Sequence, residues 1–102
     1  MHLVQLLLPL YDPQGQALPR AAFEQVHAEL VDRFGGLTAY SRAPAKGLWA
    51  EDGEGVVRDD IVVYEVMVDE LDRGWWADYR RQLEQRFRQE EVVVRGLGME
   101  RL

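Results

Sequence analysis

The chain has 102 residues, no cysteine and a formal net charge of −6, a length that fits one domain covering residues 1–102. Its 47% hydrophobic and 29% charged residues are ordinary for a globular protein, and it lacks the run of roughly 20 apolar residues that a membrane helix needs. The missing cysteine excludes disulfides and thiolate chemistry and agrees with the cytoplasm, while the acidic balance argues against nucleic acid and anionic membranes as partners.

The first elements are a strand and a helix. Residues 2–10 are almost wholly apolar and precede a segment rich in turn formers at 11–15, which predicts a buried strand and its exit loop. This start lacks a basic region and a small-residue cleavage site, so we interpret it as a strand and not as a signal peptide. Pro19 is tolerated in a first helical turn, and Gly35 and Gly36 are predicted to end the helix. Apolar residues at helical spacing predict its buried face: Phe23, Val26, Leu30, Val31 and Phe34.

A second strand and a hairpin are predicted next. Residues 37–42 contain β-favouring side chains and come before Pro44 and Gly47, which interrupt a strand. In residues 48–57, short apolar segments flank an acidic, glycine-containing centre. This pattern is typical of a hairpin tip and predicts a small β-hairpin extension.

The second half repeats the order strand, helix, strand. Residues 61–69 are β-branched or aromatic at both alternating positions, which predicts a central strand. Acidic residues up to Asp72 favour the partly positive start of a following helix, which we expect to end at about Gln89. Its predicted inward stripe is Trp76, Tyr79, Leu83 and Phe87. Residues 91–97 supply a last strand.

The predicted element order is therefore strand, helix, strand, strand, helix, strand. The ferredoxin-like split-βαβ motif has this order. We expect an α+β fold with a four-stranded antiparallel sheet, two helices on one sheet face and the hairpin extension.

Strand alternation divides the sheet residues between two faces. We expect the even-numbered residues to face the helices: Val4, Leu6, Leu8, Val62, Tyr64, Val66, Val92 and Val94. The odd-numbered residues then form an apolar area that is larger than a monomer usually leaves in water: Leu3, Leu7, Ile61, Val63, Met67, Val93 and Leu97. Something is expected to cover this second face.

The second face also carries polar residues near the strand centres, namely Gln5, Glu65 and Arg95, with Tyr40 and Arg42 on the fourth strand if its parity is the same. One interpretation is an ion pair between Glu65 and Arg95 inside a homodimer interface. The alternative is a polar pocket in an otherwise apolar chamber. A register shift of one residue would invert both faces.

With this element order and these two-faced strands, the whole chain resembles the dimeric α/β-barrel group of the ferredoxin-like fold. The segments FGGLTAY (34–40), GLW (47–49) and WWADY (75–79) also resemble those of small uncharacterised bacterial proteins of this type. The resemblance implies a homodimer in which two sheets pack face to face around an internal chamber. Because the group includes monooxygenases, isomerases and proteins without assigned activity, no catalytic residue or cofactor is carried over.

The best candidate for anion binding runs from Tyr40 to Trp49. A carboxylate or enolic ligand could meet Arg42 through its planar fork and Lys46 through a point charge, while Trp49 covers the apolar part. The alternative is a pair of exposed, solubilising charges. We expect a homodimer that binds a small organic ligand, or else a non-enzymatic interaction module that uses the apolar face. The sequence leaves open whether the protein is an enzyme.

Other candidate residues favour structural roles. His2 and His27 have no ligand-bearing neighbours at metal-site spacing, so we predict no metal site. Ser41, the only serine, lacks an identifiable histidine and acid partner. Trp75 and Trp76 lie about 100° apart on a helix, so we expect Trp76 to point inward and Trp75 to lie at a dimer boundary, at a pocket rim or in ordinary packing.

Overall fold

Six regular elements follow one another in the predicted order. The computed structural model describes residues 1–42 and 61–102, so the hairpin predicted at 48–57 lies outside the described residues. The elements are β1 (His2–Pro9), α1 (Arg20–Phe34), β2 (Thr38–Arg42), β3 (Ile61–Val68), α2 (Arg73–Arg86) and β4 (Val93–Gly98). The α+β fold with a ferredoxin-like βαββαβ arrangement is confirmed.

The four strands form one antiparallel sheet in the order β2-β3-β1-β4. The strands β1 and β3 lie at its centre. The central position of β3 is the one that its β-branched and aromatic residues at both alternating positions predict. Gln5 is opposite Glu65 on one side and Arg95 on the other. Because directly opposite residues share a face, this register fixes which side chains lie together.

Burial confirms the predicted division of faces except at Val63, an odd-numbered residue that is only 3% exposed. On the helix side of the sheet, Val4, Leu6 and Leu8 are at most 1% exposed, and Val62 and Val94 pack against the same core as partly buried residues. The helices contribute the rest of this core: Val26, Leu30, Trp76, Tyr79, Leu83 and Phe87. Removing these side chains from water is the main favourable contribution to folding.

Two helix ends follow from their capping residues. The side chain of Asp72 accepts a hydrogen bond from the backbone N–H of Trp75 at 3.1 Å, as an N-cap residue does. Gly35 ends α1 with φ at 80°, a conformation that glycine adopts without a Cβ penalty, and its N–H donates to the carbonyl of Val31. The acidic start of α2 and the glycine end of α1 were both predicted from the sequence.

The end of α2 differs from the prediction. The helix ends at Arg86 and not at about Gln89, because Arg88 takes a left-handed φ of 52°. The N–H of Gln89 donates to the carbonyl of Glu84, and the N–H of Arg88 donates to the carbonyl of Gln85. This pair of bonds is the Schellman motif, here with arginine where glycine is usual. The last strand correspondingly begins at Val93 instead of residue 91.

The loop between β1 and α1 is organised by a buried carboxylate. Asp12 is 6% exposed, and its Oδ1 accepts hydrogen bonds from the backbone N–H groups of Gln14 and Gln16, both at 2.9 Å. Its Oδ2 lies 3.6 Å from the guanidinium of Arg88, and the amide of Gln89 donates to the carbonyl of Tyr11. This loop is thereby attached to the end of α2.

Neither α1 nor α2, the helices of the described residues, is long and apolar enough to cross a membrane. The cytoplasmic location and the exclusion of nucleic acid as a partner stay predictions from composition.

Candidate functional site

One face of the sheet is not covered by either helix, and we call it the open face. It consists of the odd-numbered residues of β1, β3 and β4 together with the β2 positions in register with them. Met67 is 53% exposed, and Val93 and Leu97 are each 44% exposed. Large apolar side chains that lie together and exposed in this way mark interaction or ligand surfaces.

The register arranges the centre of the open face in three rows that run across the strands. The first row is Met67, Leu3 and Leu97; the second is Glu65, Gln5 and Arg95; the third is Val63, Leu7 and Val93. A polar row therefore lies between two apolar rows. Val63 differs from the other apolar members because it is only 3% exposed within the single chain.

The polar row is joined by hydrogen bonds. The Nε2 of Gln5 donates to Oε2 of Glu65 at 2.6 Å, and the Nε of Arg95 donates to Oε1 of Gln5 at 2.8 Å. The glutamine amide, which has both a donor and an acceptor end, thus links carboxylate to guanidinium. The sequence had suggested an ion pair between Glu65 and Arg95; the structure places β1 between their strands and Gln5 between their side chains.

Sequence reasoning missed the residue at the β2 end of this row. Thr38 is opposite Glu65, whereas Tyr40 is opposite Val63 and Arg42 is opposite Ile61. Tyr40 and Arg42 therefore occupy open-face positions in backbone register, but not positions in the polar row. Their side chains, and all of Lys46 and Trp49, lie outside the described residues, so the predicted ligand site of these four residues stays a prediction.

A groove of about 230 Å³ lies between α2 and β4 and contains Leu71, Arg73, Trp76, Arg80 and Val94 in its lining. The guanidinium of Arg80 is 2.7 Å from a carboxylate oxygen of Glu84. The same oxygen accepts the backbone N–H of Val92, which lowers the pKa of Glu84. The Arg80 guanidinium is therefore already paired with Glu84, and we assign no ligand to the groove.

The helices are joined by a polar clamp that sequence spacing did not indicate. Glu29 on α1 accepts hydrogen bonds from the hydroxyl of Tyr79 at 2.7 Å and from two nitrogens of Arg86 at 2.6 and 3.0 Å. The bonded guanidinium lowers the pKa of Glu29. Burial, reinforced by Glu29, raises the pKa of Tyr79, and burial alone raises that of Tyr64.

Ordinary packing accounts for Trp75 and Trp76. Trp76 points inward and is 6% exposed, as predicted. Trp75 packs on Phe34 and Tyr79, with ring centroids 5.4 and 4.9 Å apart, and the Arg33 guanidinium lies 4.2 Å above its ring. These contacts place Trp75 in the helix layer, on the side of the sheet opposite the open face.

The isolated histidines and serine differ in burial. His27 and Ser41 are exposed, whereas Nδ1 of His2 is buried and has no hydrogen-bond partner among the described residues. Within residues 1–42 and 61–102, no group of three or more histidine or acidic side chains could hold a metal ion.

The fold and the open face together define a small ferredoxin-like α+β domain with one sheet surface that neither α1 nor α2 covers. No protein-family model, curated protein or solved structure matches the chain.

Proposed function

We propose that the protein is a homodimer of dimeric α/β-barrel type, in which two open faces pack together and enclose a chamber for a small organic acid. The observation that carries this proposal is the hydrogen-bonded polar row between two apolar rows. An apolar surface with a few placed polar groups is the usual makeup of a small-ligand site, and sheets that pack face to face lie about 10 Å apart.

The dimer part is tested by placing a carboxylate on the open face. We expect Val93→Asp to raise the dimer dissociation constant by about 100-fold or more, because the new charge would lose water in an apolar interface. Since Val93 is 44% exposed, the fold should tolerate the change. Sedimentation velocity at several protein concentrations measures the effect, and circular dichroism checks the fold.

Val31→Asp is the matched control, because Val31 is similarly exposed at 37% but lies on α1 in the helix layer. It should leave the dimer intact. A wild-type protein that is monomeric at micromolar concentration overturns the homodimer. A folded monomer would instead favour the alternative, in which the protein is an interaction module whose apolar face binds a different protein.

The ligand part concerns Arg42, whose backbone pairs with Ile61 at the end of β2, and the predicted companions Tyr40, Lys46 and Trp49. At ten times its dissociation constant, a bound carboxylate should raise the melting temperature by roughly 5 °C or more. Arg42→Ala should remove most of this shift, because a planar guanidinium binds carboxylate through two hydrogen bonds.

The probes are benzoate, salicylate and malonate, measured by thermal shift on wild type, Arg42→Ala and the control Arg20→Ala. Arg20 is an exposed arginine on α1, distant from the open face. Equal stabilisation of wild type and Arg42→Ala would remove Arg42 from the site. The absence of any shift in wild type with all three probes would contradict this ligand class.

A further inference from the structure

We infer that the two-fold axis of the proposed homodimer runs parallel to β1 and passes over Gln5, so that Glu65 of each subunit pairs with Arg95 of the partner subunit. This inference rests on the proposed face-to-face dimer and specifies its geometry. It follows from the order of charges along the polar row.

The polar row has opposite charges on the two sides of Gln5. Neighbouring strands are about 4.8 Å apart, so Glu65 and Arg95 lie at similar distances on either side of Gln5. Rotation about an axis parallel to β1 exchanges the β3 and β4 sides while keeping each residue at its level along the strand. Glu65 then faces the partner's Arg95, and the reverse contact forms by symmetry.

The other in-plane axis gives the opposite result. A two-fold axis along the polar row would place Glu65 over the partner's Glu65 and Arg95 over the partner's Arg95. Like charges facing each other in an interface are unfavourable. The apolar rows lie over apolar rows with either axis, so the charges decide between the two orientations.

The side chains are suited to a second contact. Arg95 is exposed, and its Nε–H is the donor to Gln5. A guanidinium has five N–H donors in a planar fork, and a carboxylate has about four acceptor sites. Glu65 is half-buried and accepts from Gln5 through one oxygen. The bonds to Gln5 therefore hold both charged groups in the polar row of the open face.

Charge reversal tests the axis. Glu65→Arg and Arg95→Glu each place like charges opposite one another in their homodimers, so each should raise the dissociation constant by about 10-fold or more. A mixture of the two variants has opposite charges at both contacts. It should form heterodimers with an affinity close to that of wild type, and the double variant E65R/R95E should also recover. Native mass spectrometry distinguishes these species.

Glu24→Arg and Arg20→Glu are matched controls, because they change the net charge by the same amounts on an exposed ion pair of α1. Their dissociation constants should change much less than those of the open-face variants, because only the long-range repulsion between the subunits is altered. If a charge-reversed variant fails to fold by circular dichroism, Glu65→Lys and Arg95→Asp carry the same signs on shorter side chains.

The outcomes separate this inference from the proposed function. A dimeric wild type whose single variants dimerise equally well overturns the axis and leaves the dimer standing, since the other axis already has like charges facing each other. Single variants that stay monomeric when mixed also overturn it. A monomeric wild type overturns the homodimer itself.

Discussion

Glu29 on α1 connects the two helices through side-chain hydrogen bonds to residues of α2. Its carboxylate accepts one bond from Tyr79 and two from Arg86, a bidentate geometry that is stronger than a single exposed ion pair. The Arg86 guanidinium also lies 5.8 Å from the Tyr79 ring centroid. These contacts fix the relative position of α1 and α2 at a partly exposed site.

We predict that Glu29→Gln lowers the free energy of unfolding by about 1 kcal/mol at neutral pH, since the charge-assisted bonds are lost while the shape is kept. Urea unfolding measures the change. Glu24→Gln is the control, because Glu24 is exposed and 3.9 Å from Arg20 on the same helix; it should cost much less.

The same variant has a defined pH dependence. Because the folded protein lowers the pKa of Glu29 from 4.5, its contribution is present above pH 4.5 and is lost as the pH falls through the folded value. The stability difference between wild type and Glu29→Gln should therefore stay constant from about pH 7 to about pH 4.5 and shrink as the pH falls further. A difference that does not shrink in acid would show that charge is not its cause.

At the scale of elements, alternation along the strands was sufficient to predict both sheet faces. A period of two assigns every residue of a strand once one buried residue is known, and Leu6 and Tyr64 are buried as that pattern requires. Alternation does not show which residues are neighbours across the strands, and this depends on the strand order. Glu65 and Arg95 were correctly placed on one face, but only the position of β1 between their strands makes Gln5 the link.

The elements that were predicted less well lack a local signal. At the end of α2, Arg88 adopts the left-handed conformation in which glycine is usual. The sequence therefore has no glycine to mark this end, and the helical pattern predicts a helix that continues to about Gln89. The clamp of Glu29, Tyr79 and Arg86 depends on how two helices dock, and no sequence spacing records that distance. The residues proposed to bind a ligand could be named from charge and aromatic character alone.

At the scale of the whole molecule, net charge opposes self-association. Two chains of net charge −6 repel each other, whereas the paired Glu65 and Arg95 of the proposed dimer attract at contact distance. Salt weakens the two effects unequally. The screening length falls from about 10 Å at 0.1 M to about 3 Å at 1 M, and buried pairs are screened much less than exposed charges.

We therefore predict that the proposed dimer becomes tighter when sodium chloride is raised from about 0.1 M to about 1 M, because the long-range repulsion is screened first. Sedimentation equilibrium at both concentrations gives the dissociation constants. The α1 variants provide the comparison: Arg20→Glu makes the chain more negative and should show a larger salt effect, while Glu24→Arg makes it less negative and should show a smaller one. A dimer that weakens with salt in all three proteins would contradict this balance, and would mean that the Glu65 to Arg95 contacts outweigh the repulsion between the subunits.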